Sequence, residues 1–337
     1  MSLGACRAGI QVRAAIEIHP AAAKTFSANH PSAKLYRDDI RRINQVDLGP
    51  RDREVVLFGG PPCQGFSTSN QRTRNNQNQK NWLFLEFIRF VEEIQPDWVV
   101  FENVAGILQT ENGRFVNEIK TRLDQLGYGT SSGLISAQDV GVPQRRTRFF
   151  MIGRKYGTPP SITNDMPQAK SVTVREAIGD LPDLANGDSF SSLPYKSGSP
   201  SDYACLLRGE AISCSGHLVT KNADHILQRY SFIPEGGNWQ DIPEEHMKTY
   251  ADRFRCHTGI YRRLRWDEPS VVLGNYRKNM LVHPKQNRGL SVREAARLQS
   301  FPDSYEFHGS IGLQQQQVGN AVPPQLAAHV FSKITGI

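Results

Sequence analysis

Short apolar runs of strand length, at residues 12–18, 55–58, 98–102 and 148–153, alternate with helix-length segments at 21–29, 82–94 and 114–126. That alternation confines the first 150 residues to a doubly wound α/β sheet, because each apolar strand needs a helix face to cover it. In the second helical segment Leu83, Phe84, Phe87, Ile88, Val91 and Ile94 recur at helical spacing, so one face packs on the sheet. Gly127 comes directly after the third, where a helix C-terminal glycine is expected.

From about Thr158 the texture changes to Pro, Gly and Ser with weaker periodicity. A second, irregular region is expected there, and its arginines thicken toward the end: Arg253, Arg255, Arg262, Arg263, Arg265, Arg277 and Arg288, with Lys278 and Lys285. Any one of them reads most simply as a solvated charge, whereas the group fits a solvated face and a phosphate-contacting surface equally well. A helix at 292–298 and the stretch 317–337 return to the α/β texture. The expected division is therefore 1–157, 158–303 and 304–337.

Hydrophobic residues make up 38% and charged residues 22% of the 337, a globular rather than disordered profile. The longest apolar runs are strand-sized, so no membrane span is expected. Charges at Arg7, Arg13 and Glu17 interrupt the N-terminus where a signal peptide needs an apolar core. The five cysteines form an odd set without metal-ligand spacing, which suits a reducing compartment. A cytoplasmic protein is expected, or a nuclear one in a eukaryote. The net charge of +7 is compatible with a polyanionic partner.

Three strings carry chemistry. Gly59, Gly60, Pro61, Pro62, Cys63, Gln64, Gly65, Phe66 and Ser67 come directly after the strand at 55–58. A loop at a strand's C-terminal end is where open α/β sheets place active sites, and two prolines stiffen the backbone beside a thiol. A buried structural cysteine is the commoner fate; the glycines and the polar Gln64, Ser67, Thr68 and Ser69 argue against it here. Glu102, Asn103 and Val104 end the strand at 98–102, and partial burial would hold such a carboxyl protonated and ready to donate. Gln144, Arg145, Arg146, Thr147 and Arg148 lead into another strand, whose alternation puts Arg146 and Arg148 on one face. That pair could hold a carbonyl, a phosphate or structural carboxylates.

These strings, in this order, resemble the cytosine-C5 DNA methyltransferase family of the bacterial restriction-modification type. The resemblance continues through Ala15–Pro20, Asp38–Ile40, Asn81–Phe84, Arg293–Gln299 with Phe301–Asp303, and Gln317–Pro324. It implies a Rossmann-like methyltransferase sheet with a smaller target recognition domain, and S-adenosylmethionine as cofactor. Cys63, Glu102, Arg146 and Arg148 are then expected to be catalytic: Cys63 adds to C6 of a flipped-out cytosine, Glu102 protonates N3 and Arg148 holds O2. Glu17, Ile18, Asp39, Ile40, Pro61, Leu83, Asn320 and Ala321 are expected to face the cofactor. Gln64, Ser67, Ser69, Arg262, Arg263, Arg265, Arg277 and Lys278 are expected to meet DNA.

The partner implied is double-stranded DNA, with a cognate restriction endonuclease beside a monomeric, nucleoid-associated enzyme. One branch of the family methylates transfer RNA, and a non-catalytic DNA-binding remnant is the other alternative. Family members begin with a strand and a Phe-x-Gly-x-Gly-Gly loop, whereas Met1–Gly4 here resembles the residues immediately after that loop. The expectation is a sheet without its first strand, with unpaired backbone groups costing about 1–3 kcal/mol each.

Overall fold

A computed structural model describes residues 1–61, 83–247, 258–274, 276–278 and 280–336. The N-terminal part runs α1 (Ser2–Arg7), β1 (Ala14–Ile16), α2 (Pro20–Asn29), β2 (Lys34–Tyr36), β3 (Val56–Gly59), α3 (Phe84–Ile94), β4 (Trp98–Val104), α4 (Arg114–Gln125), β5 (Tyr128–Ser136) and β6 (Thr147–Lys155). β1 and β2 pair in parallel as a separate ribbon, while the larger sheet has the order β3-β4-β6-β5. Its β3–β4 pair is parallel, but β6 runs antiparallel to both neighbours. The expected α/β sheet with helices on both faces is present, and its strands are mixed rather than all parallel. β5, with the sequence YGTSSGLIS, has no apolar alternation to announce it; its nine residues are fixed by pairing along the whole of β6.

Alternation within the central strands builds two cores. Val99, Phe101, Phe149 and Met151 point to the face covered by α3 and α4, where Phe87, Val91, Ile119 and Leu123 meet them. Val100, Phe150 and Ile152 point to the opposite face, against Ala5 of α1 and Leu326, Val330 and Phe331 of α10 (Pro324–Thr335). Each such fully buried side chain contributes roughly 1.5–3 kcal/mol. Gly127 takes φ of 83° just past α4, the left-handed turn anticipated for it.

The later region contains α5 (Val174–Ile178), β7 (Ser189–Phe190), β8 (Leu193–Pro194), α6 (Asp202–Arg208), β9 (Ser213–Cys214), β10 (His217–Leu218), α7 (Asp224–Phe232), α8 (Val292–Leu298) and α9 (Ile311–Asn320). Among the described residues its strands form only two-residue ribbons, β7 with β10 and β8 with β9. The hub is α8, every residue of which is buried. Ser291 caps it by accepting from the Glu294 N–H at 3.2 Å, and the Glu294 carboxylate returns to the Ser291 N–H at 2.7 Å. Around it pack Val174, Ile178, Leu207, Leu264, Leu273 and Leu290. No helix among the described residues is long and apolar enough to cross a membrane.

Candidate active site

Antiparallel pairing of β4 with β6 sets the site. The end of β4 lies beside the start of β6, with Glu102 opposite Phe150 and Val104 opposite Arg148. Glu102 and Arg148 are therefore diagonal neighbours on one face, continuing the row of Val100, Phe150 and Ile152 toward the strand ends. Their side chains meet at 3.2 Å, Nε to Oε1, and both are largely buried. Burial pushes the Glu102 carboxyl above the ordinary range, and the Arg148 and Arg146 guanidiniums only partly oppose it. Arg148 also donates from Nη1 to the Thr147 carbonyl at 2.8 Å.

Arg146 is 1% exposed. Its Nη2 donates to the Ala321 carbonyl at 2.9 Å and the Gly319 carbonyl at 3.3 Å. Its Nε and Nη1 are buried without a hydrogen-bond partner among the described residues. Burial, then the nearby Arg148, works against its charge, yet a guanidinium keeps its proton in proteins. Two guanidiniums thus face one carboxylate that itself favours the protonated form. Such a pocket has spare donors and spare positive charge, and suits an oxygen-bearing ring that gains electron density.

The entrance to the cysteine loop is tied to the same place. Asn103 Nδ2 donates to the Pro61 carbonyl at 3.3 Å, two residues before Cys63 in the sequence. Gly60 passes so close that a Cβ there would fall 2.6 Å from Glu102 Oε2. Cys63 itself, with Gln64, Ser67 and Ser69, lies outside the described residues.

The expected cofactor residues stand at the ends of β1, β2 and α9. Glu17 comes just after β1; its backbone N–H is held by the Tyr36 carbonyl at 3.0 Å, and its Oε1 accepts the His19 N–H at 2.8 Å. Ile18 beside it is 62% exposed, an apolar side chain standing open next to a carboxylate. Asp39 caps the turn Ile40–Arg42, and bonds from the Arg41 side chain and backbone hold its carboxyl down at about 2. Leu83 precedes α3 and is half-buried; Asn320 ends α9 and is exposed, with Ala321 next to it. A carboxylate and an open apolar side chain beyond a parallel strand fit an adenosine, whose ribose needs acceptors and whose base needs an apolar face. The residues present therefore fit S-adenosylmethionine.

Of the basic residues expected to meet DNA, Arg265, Arg277 and Lys278 are exposed and Arg262 is half-buried. Arg263 is a correction. It is 5% exposed, and its guanidinium donates to the carbonyls of Tyr230, Ile233, His283 and Gln286 and to Asn287 Oδ1. All its donors are spent on the backbone and Asn287, so none is left for phosphate. Arg288, expected on the same surface, is buried against Glu294. Sequence reasoning misses Asn103 and Gln144 as site residues, although both lie inside the strings that carry the chemistry; only strand pairing shows what their amides bridge.

This arrangement coincides with what the chain is similar to. The model of the C-5 cytosine-specific DNA methylases matches residues 1–336. The chain is 38% identical to the type II methyltransferase M1.HphI of Haemophilus parahaemolyticus, over 99% of its length and 83% of that protein's. It is 31% identical to M.DdeI of Desulfomicrobium norvegicum, covering 97% and 84%. Among solved structures, a DNA modification methyltransferase encoded within an Escherichia coli prophage superposes with a TM-score of 0.79 at 27% identity, covering 99% of this chain and 95% of that one. A Schizosaccharomyces pombe Dnmt2 methyltransferase, at 16% identity and a TM-score of 0.55, shares the fold. The chain belongs to the C-5 cytosine-specific DNA methylase family, whose methyl donor is S-adenosylmethionine and whose product is methylated at cytosine C5.

Proposed function

We propose that this chain methylates a flipped-out cytosine in a specific sequence of double-stranded DNA, through a covalent bond between Cys63 and C6. The observation that carries it is the buried Glu102–Arg148 contact at 3.2 Å, beside a loop entrance held by Asn103 and Pro61. A stacked cytosine gives no access to its C6 face, so the base leaves the duplex at a cost of a few kcal/mol.

The Cys63 thiolate donates its electron pair to C6 and forms the C–S bond. The ring electrons move toward N3, which takes the Glu102 proton, while Arg148 holds O2 with Arg146 behind it. C5 thereby becomes nucleophilic. Glu17, Ile18, Asp39, Ile40, Pro61, Leu83, Asn320 and Ala321 would hold S-adenosylmethionine, which would supply the methyl group that C5 takes and leave as S-adenosylhomocysteine. A base then removes the C5 proton, the C–S bond breaks and the thiolate is released.

Gln64, Ser67 and Ser69 face the DNA from the cysteine loop, and residues 158–288 carry the recognition surface, with Arg262, Arg265, Arg277 and Lys278 toward phosphate or base edges. The enzyme acts as a monomer in the bacterial cytoplasm, on nucleoid DNA, alongside a cognate restriction endonuclease.

The test uses duplex DNA in which 5-fluorocytosine replaces every cytosine, so that the C5 substituent cannot leave as a proton. Wild type with S-adenosylmethionine should form an adduct that survives denaturation and maps by peptide mass to Cys63. An adduct at Cys6, Cys205, Cys214 or Cys256, or one that persists in Cys63→Ser, sinks the assignment. Labelled methyl transfer to RNA in preference to DNA would move the substrate to RNA.

A further inference from the structure

Two glutamines that this mechanism does not use, Gln144 and Gln299, are both fully buried. An amide in a core is costly unless its groups are bonded, and here the bonds run between separate parts of the molecule. Gln144 Nε2 donates to the Leu298 carbonyl at 3.2 Å and to Gln299 Oε1 at 3.1 Å, while Gln144 Oε1 accepts the Leu273 N–H at 3.1 Å. Gln299 Nε2 donates onward to the Val318 carbonyl at 2.8 Å. The backbone joins in: Arg145 N–H donates to Ser270 O at 2.8 Å, and Ser270 N–H to Pro143 O at 2.9 Å.

Four segments meet at this pair: the approach to β6, residues 270–273, the end of α8 and the last turn of α9. That last turn supplies the Gly319 carbonyl to Arg146 and leads to Asn320 and Ala321. Gly319 admits the neighbouring backbone so closely that a Cβ would lie 1.8 Å from the Gly274 carbonyl. An apolar pair could fill the same volume, but it would not fix the height of α9 against β6. Hydrogen bonds between an amide and a named carbonyl do so within a few tenths of an ångström.

We propose that Gln144 and Gln299 are positioning residues for methyl transfer. Their paired amides lock α8 and the end of α9 to the approach to β6, and so set Arg146 and Arg148 against Glu102 and against the cofactor segment at Asn320. This rests on the roles given above to Glu102, Arg146 and Arg148. A displacement of about 1 Å at reacting groups costs up to about a hundredfold in rate.

The experiment measures tritiated methyl transfer from S-adenosylmethionine to unmethylated plasmid DNA, with a melting curve for every variant. Gln299→Met conserves volume and removes both bonds; kcat should fall about ten- to a hundredfold while KM for DNA stays within about twofold. Gln299→Glu keeps the acceptor toward Gln144, and in its protonated form also donates to Val318. Its kcat relative to wild type should therefore rise as pH is lowered. Wild-type kcat in folded Gln299→Met, with only the melting temperature reduced, overturns the proposal. If that variant does not fold, a pH-independent ratio in Gln299→Glu overturns it equally. Glu102→Gln is assayed alongside: activity there removes the underlying site assignment, whereas an inactive Glu102→Gln beside unaffected Gln299 variants removes only the positioning role.

Discussion

Two groups of buried arginines behave in opposite ways. Around α8, Arg297 forms a fork with Asp303 at 2.9 and 2.6 Å, and reaches Asp180 at 2.6 Å. Arg288 forks onto Glu294 at 2.9 and 2.6 Å, and Arg293 donates to the carbonyls of Ser215, Pro302 and Tyr305. These three guanidiniums, with Arg208 as a second partner on Asp180, share three carboxylates. At the tip of β6, the Arg148 and Arg146 guanidiniums both act on Glu102, and Arg146 Nε and Nη1 have no hydrogen-bond partner among the described residues. Since a buried charge without partners costs several kcal/mol, the first group is built to hold the fold. The second is left incomplete, and on the proposed function a substrate supplies the missing groups.

The largest expected effect breaks the incomplete group. On the proposed mechanism Glu102→Gln leaves the shape unchanged but removes the acid that protonates N3, so kcat should fall by about 10²- to 10⁴-fold with DNA binding retained. Single-turnover methylation and a filter-binding assay on the same preparation check both halves. A variant that keeps its rate would place the proton donor elsewhere.

Next comes the satisfied group. Arg297→Met takes the fork from Asp303, which keeps the Tyr195 hydroxyl and Arg293, and one of two arginines from Asp180, which keeps Arg208; it should lower stability by a few kcal/mol, short of the roughly 3–5 kcal/mol of a buried pair broken outright. The turnover of whatever remains folded should be near that of wild type. Denaturant unfolding monitored by tryptophan fluorescence, with activity per folded molecule, makes the comparison. A loss of turnover without a loss of stability would erase the distinction between the two groups.

Acid sharpens the contrast, because the two buried glutamates titrate in opposite senses. Burial would raise Glu294, but the Arg288 fork holds it down at about 2. Its contribution is present above the unfolded carboxylate value near 4.5 and is lost as pH falls toward 2. His283, 3.7 Å from Glu294, is lowered by burial to about 4, so it resists protonation and weakens the fold as pH falls from 6.5 toward 4. Glu102 is raised, so its contribution is present below 4.5 and is lost as pH climbs through its folded value. Melting curves at pH 7 should therefore show Glu102→Gln at or above wild type and Glu294→Gln below it. The same sign for both would mean that the two sites are not electrostatically different.

This contrast is only half legible in the sequence. Glu102, Arg146 and Arg148 can be named because they end or begin apolar strands, where a charged residue has few structural reasons to be. The strand β5 is not legible, since Gly129, Ser131, Ser132 and Gly133 carry no period and owe their conformation to β6. Nor is the fate of Arg263. In the string Tyr261–Arg265 three arginines look alike, and only tertiary packing turns one inward to cap four carbonyls while Arg265 stays exposed. Gln144 stands out only for its place before two arginines, because its amide's partners at Leu298 and Gln299 lie more than a hundred residues away and leave no local mark.

The smallest expected effect lies on the surface, where neither kind of burial applies. Arg277 is exposed, makes no ion pair among the described residues, and lies against Gly312 of α9. A single phosphate contact adds about one unit to the dependence of binding on log salt, and it weakens every sequence alike when removed. Arg277→Ala should accordingly reduce that slope by about one, with the methylated sequence unchanged. Arg263→Ala should instead lower the melting temperature, because four carbonyls lose their donor. Binding isotherms at several salt concentrations, with bisulfite sequencing of the methylated plasmid, separate the outcomes. If Arg277→Ala relaxes the sequence and leaves the slope alone, Arg277 reads a base edge and the exposed arginines of this region are not mere phosphate anchors.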